Sequence, residues 1–497
     1  MNDDQTPVLV GVSQASLRDV DPREAPSPSF WLEATARAAL ADAGVGDRAL
    51  AELDTVAVAS PVGWRTSNPA RALCERLGAR PARELLLAVG GEMPLTFLDH
   101  LAGEIAAGRA RSGLVGGVHN LRTLRRARKQ AVLLAWAEPD GGTPVLFGEN
   151  KSGTSDEEVR HGLDRPSSLY PLFENALRAR RGLDLETHRS RVGRLLSEFT
   201  RAAAANPHAW FPTVRSADEI TTPTAANRMV AFPYTKYMNA VMETDQVVAL
   251  WMLSASAARA HGIPESRWIH YAGGATAHER AWFASERPDL AACPALREAV
   301  HGALTRSGAS LDDVSAFDFY SCFPVAVEMA CEMLGLREDD PRGLTVTGGL
   351  PYAGGPGNDY TLHSLASMVE RLRERPGVGL VTGNGWYLTK HSACVLSSEA
   401  LDPPATRPQA PPKPGPEPVP MRRDADGEGE VVAYTVLHGR DGEPERGIVV
   451  GRFEDGEGFV ANTQDDAASL AAFVADEQVG RRGRVRPREA GNRFEPA

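Results

Sequence analysis

The segment Tyr320-Ser321-Cys322-Phe323-Pro324 brings a phenol, a hydroxyl and a thiol to one turn. An apolar run from Phe317 to Ser321 precedes it, and Pro324 opens a helical pattern that reaches Leu334. A cysteine where a strand gives way to a helix gains thiolate character and becomes a nucleophile. It is equally compatible with a small buried thiol packed under the helix. Three glycine-rich loops add sites where backbone can approach a ligand. Gly90-Gly91-Glu92-Met93-Pro94 opens a helix, so its N–H groups and dipole suit an anion or a carbonyl oxygen. Gly348 to Asn358 is denser and leads into another helix, and Gly383-Asn384-Gly385-Trp386 follows a buried strand. One such loop is a tight turn on the simplest view. Three at strand–helix junctions point to a cleft, because ligands collect at strand C-terminal ends in α/β sheets. His363 and His391 lie beside these loops and suit either a general base or a satisfied buried imidazole. The run Arg122, Arg125, Arg126, Arg128, Lys129 is a solvated helix face or, beside a cleft, a phosphate site.

These residues need elements to hold them. Short apolar runs alternate with amphipathic segments from Pro7 to about Ser398, the rhythm of an α/β layered fold. Helices are expected over Ser29 to Ala43, from Pro94 to Gly108, over Pro294 to Ser307 and over Leu362 to Arg375. Strands are expected over Val8 to Val12, Leu85 to Val89, Val247 to Ser254, Trp268 to Ala272 and His391 to Ser398. Gly113 to Gly117 and Gly379 to Gly383 echo one another as Gly-Leu-Val-x-Gly, the mark of a duplicated unit. From Leu121 to about Pro233 the rhythm breaks and reads as an inserted, mostly surface region. Pro403 to Pro420 holds nine prolines in 18 residues, an extended linker. Short strand-like runs with Asp-Gly turns and one helix follow, a small β-rich module.

Composition removes several classes. The chain has 497 residues, so about three domains are expected. With 42% hydrophobic and 24% charged residues it can bury a large core. The net charge of −11 disfavours nucleic acid as a partner. The five cysteines form no C-x-x-C pair, so neither a disulfide scaffold nor a metal cluster is expected, and a reducing cytoplasm fits. The acidic start Met1-Asn2-Asp3-Asp4 does not resemble a signal peptide, and no apolar run is long enough to span a bilayer.

Tyr170-Pro171-Leu172-Phe173-Glu174-Asn175, Asn227-Arg228-Met229 and Pro233-Tyr234-Thr235-Lys236 carry a resemblance, together with Tyr320 to Phe323, Gly348 to Tyr360, Asn384-Gly385 and Lys390-His391. Over residues 7 to 400 the chain resembles the thiolase superfamily. It is most similar to the sterol-carrier-protein-X type and to the thiolase-like proteins of type 1, which carry an additional C-terminal domain. The resemblance implies an α/β duplicated thiolase fold: two similar halves layered α-β-α-β-α, an inserted loop region, and a small C-terminal β-barrel-like domain. The expected units are 1–120 with 236–265, the insert 121–235, the second half 266–402, the linker 403–424 and the module 425–497.

The resemblance also implies a coenzyme A cleft. Thiolases place a nucleophilic cysteine 17 residues before the glycine that ends its helix, and counting back from Gly108 lands on Gly91. The Gly-His-Pro histidine falls on Gly355, the second-cysteine loop on Thr382 to Gly385, and the Asn/His position on Tyr320. Cys322 alone matches a cysteine, in the loop of the sterol-carrier type. The expected catalytic residues are therefore Cys322, Tyr320 and His363. Gly91, Glu92, Gly354, Gly355, Asn358, Asn384 and Gly385 are expected to bind substrate, and Arg125, Arg126 and Lys129 the coenzyme A phosphates. Coenzyme A or acyl-CoA is the implied ligand, with no covalent cofactor and no metal. A dimer or a protein partner through the C-terminal module is compatible.

Three functions compete: a coenzyme A-dependent acyltransferase of lipid metabolism, of the acetyl-CoA acetyltransferase class; a thiolase-fold aldolase or lyase acting on a β-hydroxyacyl-CoA, with Tyr320, Tyr352 and Tyr387 as acid and base; and a non-catalytic acyl-CoA-binding or partner protein. Loss of nucleophile and base together removes the acyl-enzyme route, while backbone oxyanion sites survive.

Overall fold

The computed structural model describes residues 3–401 and 415–497. Met1, Asn2 and the linker prolines through Pro414 lie outside the described residues. The first half runs β1 (Pro7–Ser16), α1 (Pro28–Asp42), β2 (Thr55–Ala59), α2 (Pro69–Leu77), β3 (Arg83–Leu87), α3 (Met93–Ala106) and β4 (Ser112–Asn120). A long excursion follows: α4 (Leu121–Lys129), β5 (Val145–Phe147), α5 (Asp156–Arg160), α6 (Pro166–Arg180), α7 (Leu185–Ala205), α8 (Ala217–Thr221), β6 (Met229–Ala231) and β7 (Tyr234–Thr235). The chain then returns through β8 (Asp245–Ser254) and α9 (Ala255–Ala260). The second half holds β9 (Ile269–His278), α10 (Pro294–Ser307), β10 (Val314–Asp318), α11 (Pro324–Leu334), α12 (Tyr360–Glu374), β11 (Val378–Gly385) and β12 (Lys390–Ser397). The C-terminal module is β13 (Gly427–His438), β14 (Pro444–Phe453), β15 (Gly458–Asn462), α13 (Ala467–Ala475), β16 (Arg482–Arg486) and β17 (Arg493–Pro496).

The two halves share one topology. β4 is parallel to β2 and antiparallel to β8, which pairs with β1. β11 is likewise parallel to β10 and antiparallel to β12, which pairs with β9. The two Gly-Leu-Val-x-Gly runs lie on the matching strands β4 and β11. β1 and β9 meet antiparallel through Val8–His270 and Leu9–Ile269, joining the halves into one ten-stranded sheet. α3 and α12 fill the space between the halves, burying Phe97, Leu98, Leu101, Leu365, Met368 and Val369 in one cluster. Their glycine loops therefore open at the same end of the molecule.

The region 121–235 departs from the expected surface insert. α6 is buried over Ser168 to Arg178 because it is wedged between α11 of the second half and β13 of the C-terminal module. Its tail end, β6 and β7, pairs onto β13 through Ala231–Leu437. β13, β14, β15, β17 and β16 close into a five-stranded barrel, with Tyr434, Phe459, Val485 and Phe494 inside. One wall of that barrel is part of the body: Ala433, Ile448, Val450 and Val460 share an apolar cluster with Phe173, Leu177 and Phe323.

Candidate active site

The Gly90 loop, the Tyr320 turn and the Gly383 loop meet at one point. A Cβ on Gly91 would stand 2.5 Å from the hydroxyl of Tyr320 and 2.7 Å from the carbonyl oxygen of Asn384. Real Cβ atoms do not approach so closely, so the phenol of Tyr320 fills the volume that a side chain at position 91 would need. The Tyr320 backbone is tied to the second-half sheet by its N–H, which donates to Thr382 Oγ1 at 2.9 Å. Its ring meets that of Tyr360 edge-on at 5.4 Å. Thr361 Oγ1 donates to the Gly91 carbonyl at 2.8 Å, and Ser392 Oγ to the Glu92 carbonyl at 2.9 Å. The start of α3 is thus held by α12 and β12 together.

Glu92 turns back beneath its own loop into the room left by the missing side chains of Gly90 and Gly385. Lys390 Nζ lies 2.5 Å from Glu92 Oε1 and donates to the Val89 carbonyl at 2.9 Å. Both partners are buried, so the ion pair fixes the Gly385 turn against the Gly90 turn. Burial raises the Glu92 carboxyl, and the Lys390 charge opposes that shift.

Cys322 borders this cluster, and Phe323 points inward onto the Tyr170 ring, 4.4 Å away and stacked. Asn384 Nδ2 donates to the Tyr170 hydroxyl at 2.9 Å and faces Cys322 Sγ at 3.9 Å. Burial pushes the Cys322 thiol up to about 12 and raises the phenols of Tyr320 and Tyr170 well above their ordinary range. A thiol with that pKa is protonated at neutral pH and is a poor nucleophile. The two phenols remain hydrogen-bond donors.

Gly348 to Asn358 reaches the cluster at both ends, where Gly349 leaves room for Ser321 and where Asn358 meets the Gly90 loop. Asn358 Oδ1 accepts from the Gly90 N–H at 3.0 Å, and its amide donates to the Ser60 carbonyl at 2.8 Å. Gly355 faces Val241 and Ala240, and its N–H donates to the Val241 carbonyl at 2.9 Å. Gly354, at φ 104°, makes room for Gln246. Asp359 fills the space over Gly117, and both its oxygens lack a hydrogen-bond partner, so burial keeps it protonated. His119 Nε2 donates to the Met242 carbonyl at 2.7 Å, and desolvation lowers its pKa to about 4. Gln246, Asp359 and His119 escaped the sequence reading; only their position opposite glycines in three dimensions marks them.

The two histidines beside the glycine loops are held by other partners. His363 Nδ1 meets Gln14 Oε1 at 3.0 Å on β1, because its place on α12 turns it toward the first-half sheet. His391 Nε2 contacts Cys293 Sγ at 3.1 Å. Burial lowers both imidazoles to about 3, so both are neutral packing partners. Tyr352 and Tyr387 are buried too, and burial pushes Tyr387 up to about 12. On α4, Arg125 pairs with Glu243 at 2.8 Å and Arg126 donates to the Val20 carbonyl at 2.8 Å, while Lys129 is exposed.

Comparison with known proteins places this architecture. A family model described as "Thiolase-like protein type 1 additional C-terminal domain" matches residues 414–490. The crystal structure of a monomeric SCP2-thiolase-like protein type 1 from Mycobacterium smegmatis superposes with a TM-score of 0.84, at 35% identity over 100% of both chains. The dimeric peroxisomal thiolase of Saccharomyces cerevisiae gives a TM-score of 0.57 at 15% identity, covering 80% of this chain and 98% of its own. An Ltp2–ChsH2(DUF35) aldolase gives 0.58 at 18% identity, covering 79% and 98%. Among curated proteins no relative matches.

Proposed function

This chain belongs to the SCP2-thiolase-like protein type 1 family, and from that footing we propose that it binds acyl-CoA thioesters of lipid metabolism in the glycine-loop site without forming an acyl-enzyme. The carrying observation is the phenol of Tyr320 standing where a side chain on Gly91 would be. A thiolase-type reaction needs a thiolate at that point and a base beside it. Here the volume is occupied, the neighbouring thiol of Cys322 is held protonated, and His363 and His391 point elsewhere.

What the site retains is donors. The Tyr320 hydroxyl and the backbone of the Gly90 and Gly383 loops suit a thioester carbonyl. The exposed pair Arg125–Glu243 is worth little in water, so a coenzyme A phosphate can replace Glu243 on Arg125, with Arg126 and Lys129 nearby on the same helix. Binding draws support from the thiolase fold of the whole body and from this basic helix at the end of β4. Among the described residues no helix is long and apolar enough to cross a membrane.

A retro-aldol lyase is the second reading, favoured by the position of Tyr320 inside the loop cluster. It requires a general base near the working pH. Tyr320 is displaced the wrong way for that, well above its ordinary value, so binding without turnover is the stronger reading. Calorimetric titration with acetyl-CoA, followed by screens for thiolysis and for ketone release, separates the two. Saturable binding with neither product is expected. Ketone release from a β-hydroxyacyl-CoA would select the lyase.

A further inference from the structure

Behind the glycine loops, three buried side chains from three helices converge. Glu174 on α6, His188 on α7 and Glu328 on α11 each present one ligand-type atom, all within 4.8 Å of one another. His188 Nε2 lies 2.5 Å from Glu174 Oε1. The Tyr234 hydroxyl donates to Glu174 Oε2 at 2.5 Å, and Arg181 donates to Glu328 Oε1 at 2.8 Å. Glu328 Oε2 has no hydrogen-bond partner, although Glu328 is 0% exposed. A cavity of about 240 Å³ opens beside the group, bounded by Glu174, His188, Tyr234, Val192, Phe232 and Met238.

Two buried carboxyls, Glu174 and Glu328, face one another here beside His188, and Arg181 is shared among Glu328, Glu332 and Glu338. Buried charge in excess is costly unless something compensates it. Protons taken up by the two inner carboxyls are one answer; a dication is the other.

We propose that Glu174, His188 and Glu328 form a binding site for one divalent transition-metal ion of the zinc class. One imidazole and two carboxylates suit such an ion, and the cavity bordered by Glu174 and His188 leaves a position for water. An ion between them would replace the direct contact of His188 with Glu174. Binding displaces protons from the carboxyls, so affinity rises with pH. The ion would join α6, α7 and α11, and α6 also carries the barrel.

The test uses the full chain, stripped with EDTA and titrated with Zn²⁺ against a chromophoric chelator. One equivalent is expected, with affinity reduced at least tenfold in E328Q and in H188Q. The Co²⁺ form of the wild type should show ligand-field absorption in the visible. No stoichiometric Zn²⁺, or wild-type affinity in both variants, overturns the site. If neither variant folds, the wild-type stoichiometry and the Co²⁺ spectrum decide alone, and absence of either one overturns it.

Discussion

The hydroxyl of Tyr320 lies 2.5 Å from where a Cβ on Gly91 would stand, although the residues are far apart in the chain. The two positions constrain one another. Gly91→Ala forces an overlap and should cost about 1–3 kcal/mol, the usual range for overpacking. In a Tyr320→Ala background the same change should cost clearly less, because the residues share one volume. Urea midpoints of the four proteins measure this. Additive effects would show that the phenol does not occupy that space.

Cys322 should resist alkylation. Its thiol is pushed up to about 12 by burial, so little thiolate exists at neutral pH. Native-state labelling with iodoacetamide, read by peptide mass, should leave Cys322 unmodified when denatured protein is fully labelled. Cys322→Ala should leave acetyl-CoA binding unchanged. Rapid selective labelling would restore it as a nucleophile.

The Glu92–Lys390 pair should be sensitive to removal of either charge. Lys390→Met strands a buried carboxylate, a change worth about 3–5 kcal/mol where the survivor stays charged. Burial raises the Glu92 carboxyl, so the loss should shrink as the pH falls and Glu92 takes up a proton. A Lys390→Met effect independent of pH would place the pair in contact with solvent. Adding Glu92→Gln to Lys390→Met should recover part of the stability.

Acid should destabilise the fold through buried imidazoles. His119 is lowered from 6.5 to about 4, and His363 and His391 to about 3. A depressed imidazole binds fewer protons folded than unfolded. Its contribution is therefore complete above pH 6.5 and is lost as the pH falls toward 4 and then 3. Urea midpoints taken from pH 7.5 to 4.5 should fall steadily. A flat profile over that range would mean that these histidines are solvated.

The body and the barrel should unfold together. Ala433, Ile448, Val450 and Val460 lie in the apolar cluster of the body, and Arg178 pairs with Glu477 across the joint. Calorimetry should give one transition, and a chain truncated after residue 401 should expose this apolar face and aggregate. Two well-separated transitions would make the barrel independent.

Much of the fold was legible because its signals are local. Pro94, Pro294 and Pro324 each mark a helix start, and the twin Gly-Leu-Val-x-Gly runs fall on equivalent strands. Gly91, Tyr320, Gly355 and Asn384 were expected to converge; Gly91, Tyr320 and Asn384 meet, while the neighbours of Gly355 are Val241 and Ala240. The remainder depends on tertiary neighbours. Nothing around Gly355 shows that Val241 will claim its N–H, nor that His363 will turn toward Gln14. The expectation of no metal rested on the spacing of the cysteines; Glu174, His188 and Glu328 have no ligand spacing in the chain and meet only where α6 is buried between two other elements. That burial was itself missed: α6 lies in a stretch whose broken rhythm suggests surface.

The most direct test of an occupied nucleophile position is thiolysis of acetoacetyl-CoA by the wild-type chain, with a heat-killed control, at acyl-CoA concentrations where calorimetry shows the site filled. Saturated binding with no product above the control is expected. Turnover in the ordinary enzyme range of about 1–10³ per second would contradict it, and would mean that an acyl group finds a nucleophile despite Gly91 and the phenol of Tyr320.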